Sequence, residues 1–119
     1  DPVLQDLNLA RRPVEIEGGP VAVRPGTREP HFVLSAAGNR VRGFTGCNTL
    51  AGAFEQDADG FRFKALAVTR MACLPDNGLE TRFLTALDAT AAQRIVGETL
   101  ELRDRDGKLR MRLEARYLK

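Results

Sequence analysis

Turn chemistry interrupts this chain about every ten residues, and that spacing limits what it can fold into. Groups of Gly, Pro, Asn and Asp stand at Gly18-Gly19-Pro20, Pro25-Gly26, Ala37-Gly38-Asn39, Asp59-Gly60 and Asp106-Gly107, and Gly97-Glu98 adds one more turn. Between them lie segments too short for ordinary helices, several of which alternate apolar and polar residues as half-buried strands do. Val14 to Glu17 and Val21-Ala22-Val23 suggest a first hairpin, and His31 to Ser35, Val41 to Thr45, Leu50 to Phe54 and Phe61 to Lys64 continue the series. Asp59-Gly60 is the strongest hairpin signal, because both positions tolerate positive φ. Gln93 to Val96, Thr99 to Arg103 and Leu109 to Ala115 complete the strands. One stretch changes period: Leu79, Phe83 and Leu87 recur at i, i+4 and i+8, which predicts an amphipathic helix from Gly78 to about Thr90. Asn77 is its expected N-cap, with Glu80 in capping-box spacing. The expected fold is α+β: a single domain with a strongly curved antiparallel β-sheet of about eight short strands, packed against one late amphipathic helix.

The 119 residues suffice for one core, and apolar content with charges of both signs fits a folded domain. A net charge of +2 is too small to imply a polyanion partner. No apolar run reaches the roughly 18 residues of a membrane span. Residues 1–13 lack a clear period and read as a leader or linker, which places the domain at 14–119. The chain opens at Asp1-Pro2 with no initiator Met and no basic, apolar leader. A signal peptide, a lipid-anchoring Cys or a preceding domain is therefore an expectation upstream.

The stretch from Gly43 to Cys73 holds both cysteines and the least periodic polar segment. It contains Gly43-Phe44-Thr45-Gly46-Cys47-Asn48, then Gly52-Ala53-Phe54, then Thr69-Arg70-Met71-Ala72-Cys73 ahead of the helix. In combination these signatures resemble the META domain of HslJ-type bacterial envelope proteins, over about Val14 to Leu113. The family's Trp-x-Leu before the first strand is replaced by Leu9-Ala10-Arg11-Arg12-Pro13-Val14. The resemblance implies a curved sheet against a helix, a periplasmic or outer-membrane-associated location, and a link to heat induction and antibiotic tolerance. Such domains are often lipoproteins and sometimes follow an NlpE-like copper-resistance lipoprotein domain, for which residues 1–13 would serve as linker.

Cys47 and Cys73 can pair in only one intramolecular way, and closing a loop of about 27 residues would stabilise by roughly 3 to 4 kcal/mol. A structural disulfide ranks ahead of two inert buried thiols, and redox or metal chemistry ranks last, since no Cys-x-x-Cys is present and His31 is the sole imidazole. His31 reads as a strand-edge residue rather than a catalytic base, because no orienting third group is placed near it. Asp57 to Gly60 and Asp104 to Gly107 look superficially like calcium loops, but Leu66 and Leu113 stand where the bidentate Glu belongs. Hairpin turns account for both. Arg103, Arg105, Lys108, Arg110, Arg112 and Arg116 are interleaved with Glu101, Asp104, Asp106 and Glu114, so they read as a solvated strand face and not as a nucleic-acid surface. Thr45, Asn48, Thr69 and Arg70 form the candidate polar recognition cluster. Structural pinning of turns is favoured over ligand recognition, because no charged partner or phosphate cradle accompanies them.

No catalytic constellation, cofactor site or metal site is expected. The leading reading is a non-catalytic envelope domain, monomeric, contacting an envelope protein in stress tolerance or outer-envelope maintenance. The alternative is a small-ligand or inhibitor-type binding module using the concave sheet face, with a pocket lined by Phe44, Phe54, Phe61 or Phe63. A face filled by the Leu79-Phe83-Leu87 stripe would count against it. A thiol enzyme ranks third.

Overall fold

Hydrogen bonding joins the short segments into one antiparallel sheet that curls into a half barrel around a helix. The computed structural model describes residues 10–21, 29–35, 37–72 and 78–115. Within them run β1 (Ala10–Ile16), β2 (Gly19–Pro20), β3 (His31–Ser35), β4 (Arg40–Phe44), β5 (Thr49–Asp57) and β6 (Gly60–Val68). Helix α1 (Leu79–Ala89) follows, and then β7 (Ala92–Val96), β8 (Thr99–Arg103) and β9 (Leu109–Ala115). The order across the sheet is β6-β5-β4-β3-β1-β9-β8-β7, with β2 paired to β1 off this path. Two meanders, β3 to β6 and β7 to β9, are thus joined through β1, which pairs with β3 on one side and β9 on the other. The two ends of the sheet approach where the Phe61 N–H donates to the Ala91 carbonyl at 2.9 Å. This is the expected single α+β domain.

Strand alternation sends Phe32, Leu34, Val41, Leu50, Phe54 and Phe61 inward from one meander and Leu100, Leu102, Met111 and Leu113 inward from β8 and β9. Phe83, Ala86 and Leu87 of α1 fill the space between them. Phe83 meets Phe32 edge to face, and Phe54, Phe61 and Phe63 form a contiguous aromatic row with centroids 5.2 to 5.3 Å apart. Each fully buried Phe or Leu contributes about 1.5 to 3 kcal/mol. The concave face is therefore occupied by the helix stripe, and Phe54 and Phe61 belong to the core instead of lining a central pocket. Phe44 lies outside that core: one residue past inward Gly43, it takes the opposite face and packs beside the His31 ring.

Several elements differ from the sequence reading. β1 begins at Ala10, so residues 10–13 are sheet and not leader. A register shift between Pro13 and Glu15 absorbs the proline, which cannot donate to the ladder. The first turn falls at Glu17-Gly18 instead of Gly18-Gly19-Pro20. Glu17 accepts a positive φ of 53° because its N–H is tied to the Arg110 carbonyl and its carboxylate to the Arg110 guanidinium. Ala22 and Val23 of the expected second strand lie outside the described residues. β5 and β6 run longer than expected and turn through Ala58-Asp59, with the positive φ at Gly60 alone. Their register slips between Ala51 and Ala53, where Ala65 takes a φ of 55°. A side chain at Gly52 would force Leu66 to shift, since a Cβ would sit 2.8 Å from its Cδ2 and 3.0 Å from its Cα. The helix N-cap is Gly78, and Asn77, expected in that role, lies outside the described residues.

Candidate functional site

The turn between β4 and β5 builds the site. Thr45 Oγ1 accepts the backbone N–H groups of Cys47 at 3.2 Å and Asn48 at 2.9 Å, and donates to Glu80 Oε2 at 2.5 Å. A hydroxyl that folds back on its own turn is the usual reason for Thr at such a position. Gly46 carries a φ of 102° beneath Leu79, which a side chain would disfavour. The turn delivers Asn48, 1% exposed, to the centre of a hydrogen-bond network. Its Oδ1 accepts from Thr69 Oγ1 at 2.9 Å and from the Met71 N–H at 2.7 Å. Its Nδ2 donates to the Met71 carbonyl at 3.2 Å and to Glu80 Oε2 at 2.9 Å, with Cys47 Sγ at 3.3 Å. Asn48 thus gives Met71 the pair of bonds that a neighbouring strand would give. The Thr69 hydroxyl also accepts the Thr49 N–H at 3.0 Å, so the exit of β6 is anchored twice.

This network is filled by the signature residues, and comparison with known families decides what it belongs to. The META domain family model matches residues 11–117. The chain belongs to the META domain family. No curated protein matches it. Among solved structures, an NMR structure of a protein from Burkholderia xenovorans is similar, with 22% identity, a TM-score of 0.72, and 98% of this chain and 88% of that one covered. A second NMR structure follows at 19% identity and a TM-score of 0.69, covering 93% and 92%. A DUF4847 family protein from Bacteroides vulgatus shares 14% identity at a TM-score of 0.58, covering 76% of this chain and 61% of that one. At these identities the likeness concerns the fold.

In this META domain the structure brings together Thr45, Asn48 and Thr69 and leaves Arg70 out. Alternation along an extended segment turns Arg70 away from Thr69, and it is exposed, with no hydrogen-bond or ion-pair partner among the described residues. The charged member is Glu80, which the sequence reading had assigned to a capping box. Its carboxylate sits in the first turn of α1, where the helix dipole favours an anion, and receives both Thr45 and Asn48. Cys47 is disulfide-bonded, with its sulfur 3.4 Å from the Met71 carbonyl. Cys73, the partner expected for it, and Arg116 lie outside the described residues.

The remaining candidates are held in local structure. His31 Nδ1 lies 3.1 Å from the Glu29 carbonyl. Asp57 accepts the Asp59 N–H and Arg62, and the Arg62 hydrogen bond, ahead of that N–H, holds its carboxyl below the usual range. Asp104 accepts the N–H groups of Lys108 and Asp106 at 2.9 Å and Arg110 Nε at 3.0 Å, and is held low by the Lys108 N–H first and then by Arg110. On the basic strand face, Arg110 pairs with Glu17, Arg112 with Glu15 and Arg103 with Glu101. Among the described residues no helix is long and apolar enough to cross a membrane.

Proposed function

We propose that this META domain is a non-catalytic module of the bacterial envelope that works through protein contacts at the segment from Thr69 to Ala72. The observation that carries this reading is the clamp of Asn48 on the Met71 backbone while the Met71 side chain stands 62% exposed. A large apolar side chain on a backbone already ordered loses little entropy when a partner covers it, which is how contact surfaces gain affinity. Exposed Arg70 beside it adds a charge to the same surface. The polar groups of the signature are spent on this clamp, and Thr45 and Asn48 are buried, which favours a scaffold over a reaction centre. Disulfide-bonded Cys47 supports an oxidising compartment, and a Cys47–Cys73 staple is part of the same reading. Stress tolerance or outer-envelope maintenance and lipid anchoring upstream complete it on the family resemblance alone, and a monomeric state is part of the same proposal.

Site-specific photo-crosslinking tests it. A benzophenone side chain at position 71 of the exported protein is expected to capture a discrete envelope protein, while the same group at exposed Arg94 on β7 is not. Equal capture from both positions, or none from position 71, would remove the surface from consideration. Alkylation before and after reduction, read by intact mass, checks the compartment separately: two labels only after reduction are expected.

A further inference from the structure

We infer that Met71 is the site at which a hydroperoxide modifies this domain, and that its oxidation to the sulfoxide switches off the contact surface proposed above. The chain holds two cysteines and two methionines. Cys47 is in a disulfide and no described cysteine is free, so no described thiol competes for the oxidant. Met111 is fully buried in the core opposite Leu102, where an oxidant reaches it only when the core opens. Met71, 62% exposed, is left as the described thioether within reach of solvent. With hydrogen peroxide, a sulfur lone pair attacks one peroxide oxygen; the S–O bond forms as the O–O bond breaks. Sulfur is oxidised by two electrons, and the peroxide, after a proton shift, leaves as water. The surroundings of Met71 keep the consequence local. Asn48 holds both the Met71 N–H, at 2.7 Å, and the Met71 carbonyl, at 3.2 Å, and neither bond involves the side chain. The sulfoxide oxygen stands in water, so the fold accommodates it. When a partner covers residue 71, that oxygen must be desolvated, which opposes a contact that the apolar thioether favours. The switch rests on the reading of Thr69 to Ala72 as a contact surface; the site of oxidation does not.

Graded hydrogen peroxide on the native protein, followed by peptide mass mapping, tests the site. Gain of one oxygen, about 16 Da, is expected at Met71 at least about 10-fold faster than at Met111, with Tm kept within about 2 °C. Equal rates at the two methionines, or a larger fall in Tm as Met71 oxidises, would overturn the proposal. The switch is read with a benzophenone side chain at exposed position 72, beside an intact Met71, on protein freed of peroxide before it meets an envelope extract. Capture is expected to fall about 5-fold after oxidation, and Met71→Leu, compared with itself before and after peroxide, is expected to show no fall. Undiminished capture by the oxidised protein would overturn the switch and leave the contact surface standing. A fall that persists in Met71→Leu would assign the effect to another group and overturn it as well. Absence of capture before peroxide would remove contact surface and switch together, while the peptide map still decides the site of oxidation.

Discussion

At its N-terminal end α1 meets Thr45, Asn48 and Thr69, whose side-chain polar groups are paired and whose carboxylate, Glu80, accepts two donors. At its C-terminal end the same helix borders an open cleft lined by Asp59, Asp88, Asp104 and Asp106 together with Arg62, Arg105 and Arg110. One end follows the dipole, with an acid in the first turn; the other opposes it, with Asp88 in the last turn and no base. Paired polar groups in a low-dielectric site are worth more than exposed ones, and unpaired exposed charges cost little. The N-terminal end is accordingly where stability is concentrated, and the C-terminal end carries exposed charges of both signs.

The largest expected effect is at Asn48. Asn48→Ala removes the clamp on Met71 and leaves the Met71 N–H and the Glu80 carboxylate short of partners, costing about 3 kcal/mol, or roughly 10 °C in Tm. Glu80→Gln keeps the shape and loses the charge at the helix start, for about 1 kcal/mol. Thermal unfolding by circular dichroism measures both. If Asn48→Ala cost no more than Glu80→Gln, the network would not be the anchor of this end.

How legible these two ends were follows from which physical signals agreed. Helix α1 and the strands β7 to β9 were readable because local period, turn residues and burial point the same way. The first half of β1 was not, because Arg11-Arg12-Pro13 argues against a strand. The bulge after Pro13 and the bond from Arg11 Nη1 to the Glu98 carbonyl at 2.9 Å, on a side chain 1% exposed, make the exception possible. Both depend on residues more than 80 positions away in the chain. In the site, Thr45, Asn48 and Thr69 were legible as turn chemistry. Glu80 was hidden by a competing local explanation at capping-box spacing, and Arg70 was grouped with Thr69 by sequence adjacency alone, although its side chain is exposed. The cleft has no sequence signature, because its walls come from three separate turns.

Acid should act on the β5–β6 hairpin and the β8–β9 turn. The carboxyls of Asp104, Asp57 and Glu55 are held below their ordinary values, chiefly by the Lys108 N–H, by Arg62 and by Lys64 respectively. A lowered folded-state pKa contributes stability that is fully present above the ordinary carboxylate range, about pH 4, and is lost as pH falls through the lowered values. Asp104→Asn should therefore lower Tm at pH 7 and flatten its decline below about pH 4. Parallel Tm profiles for the two proteins from pH 7 to 2 would show that this turn does not set the acid limit.

The smallest effect separates the two ends by its sign, because losing an acid should destabilise the first turn of α1 and stabilise the last. Asp88 is exposed in the last turn of α1, where its charge faces the negative end of the helix. Asp88→Lys reverses that charge and should stabilise the fold by about 0.5 kcal/mol, or roughly 2 °C in Tm. A damaged helix would lower Tm, so a rise cannot come from a structural defect. An unchanged or lowered Tm would show that the dipole does not distinguish the two ends of α1.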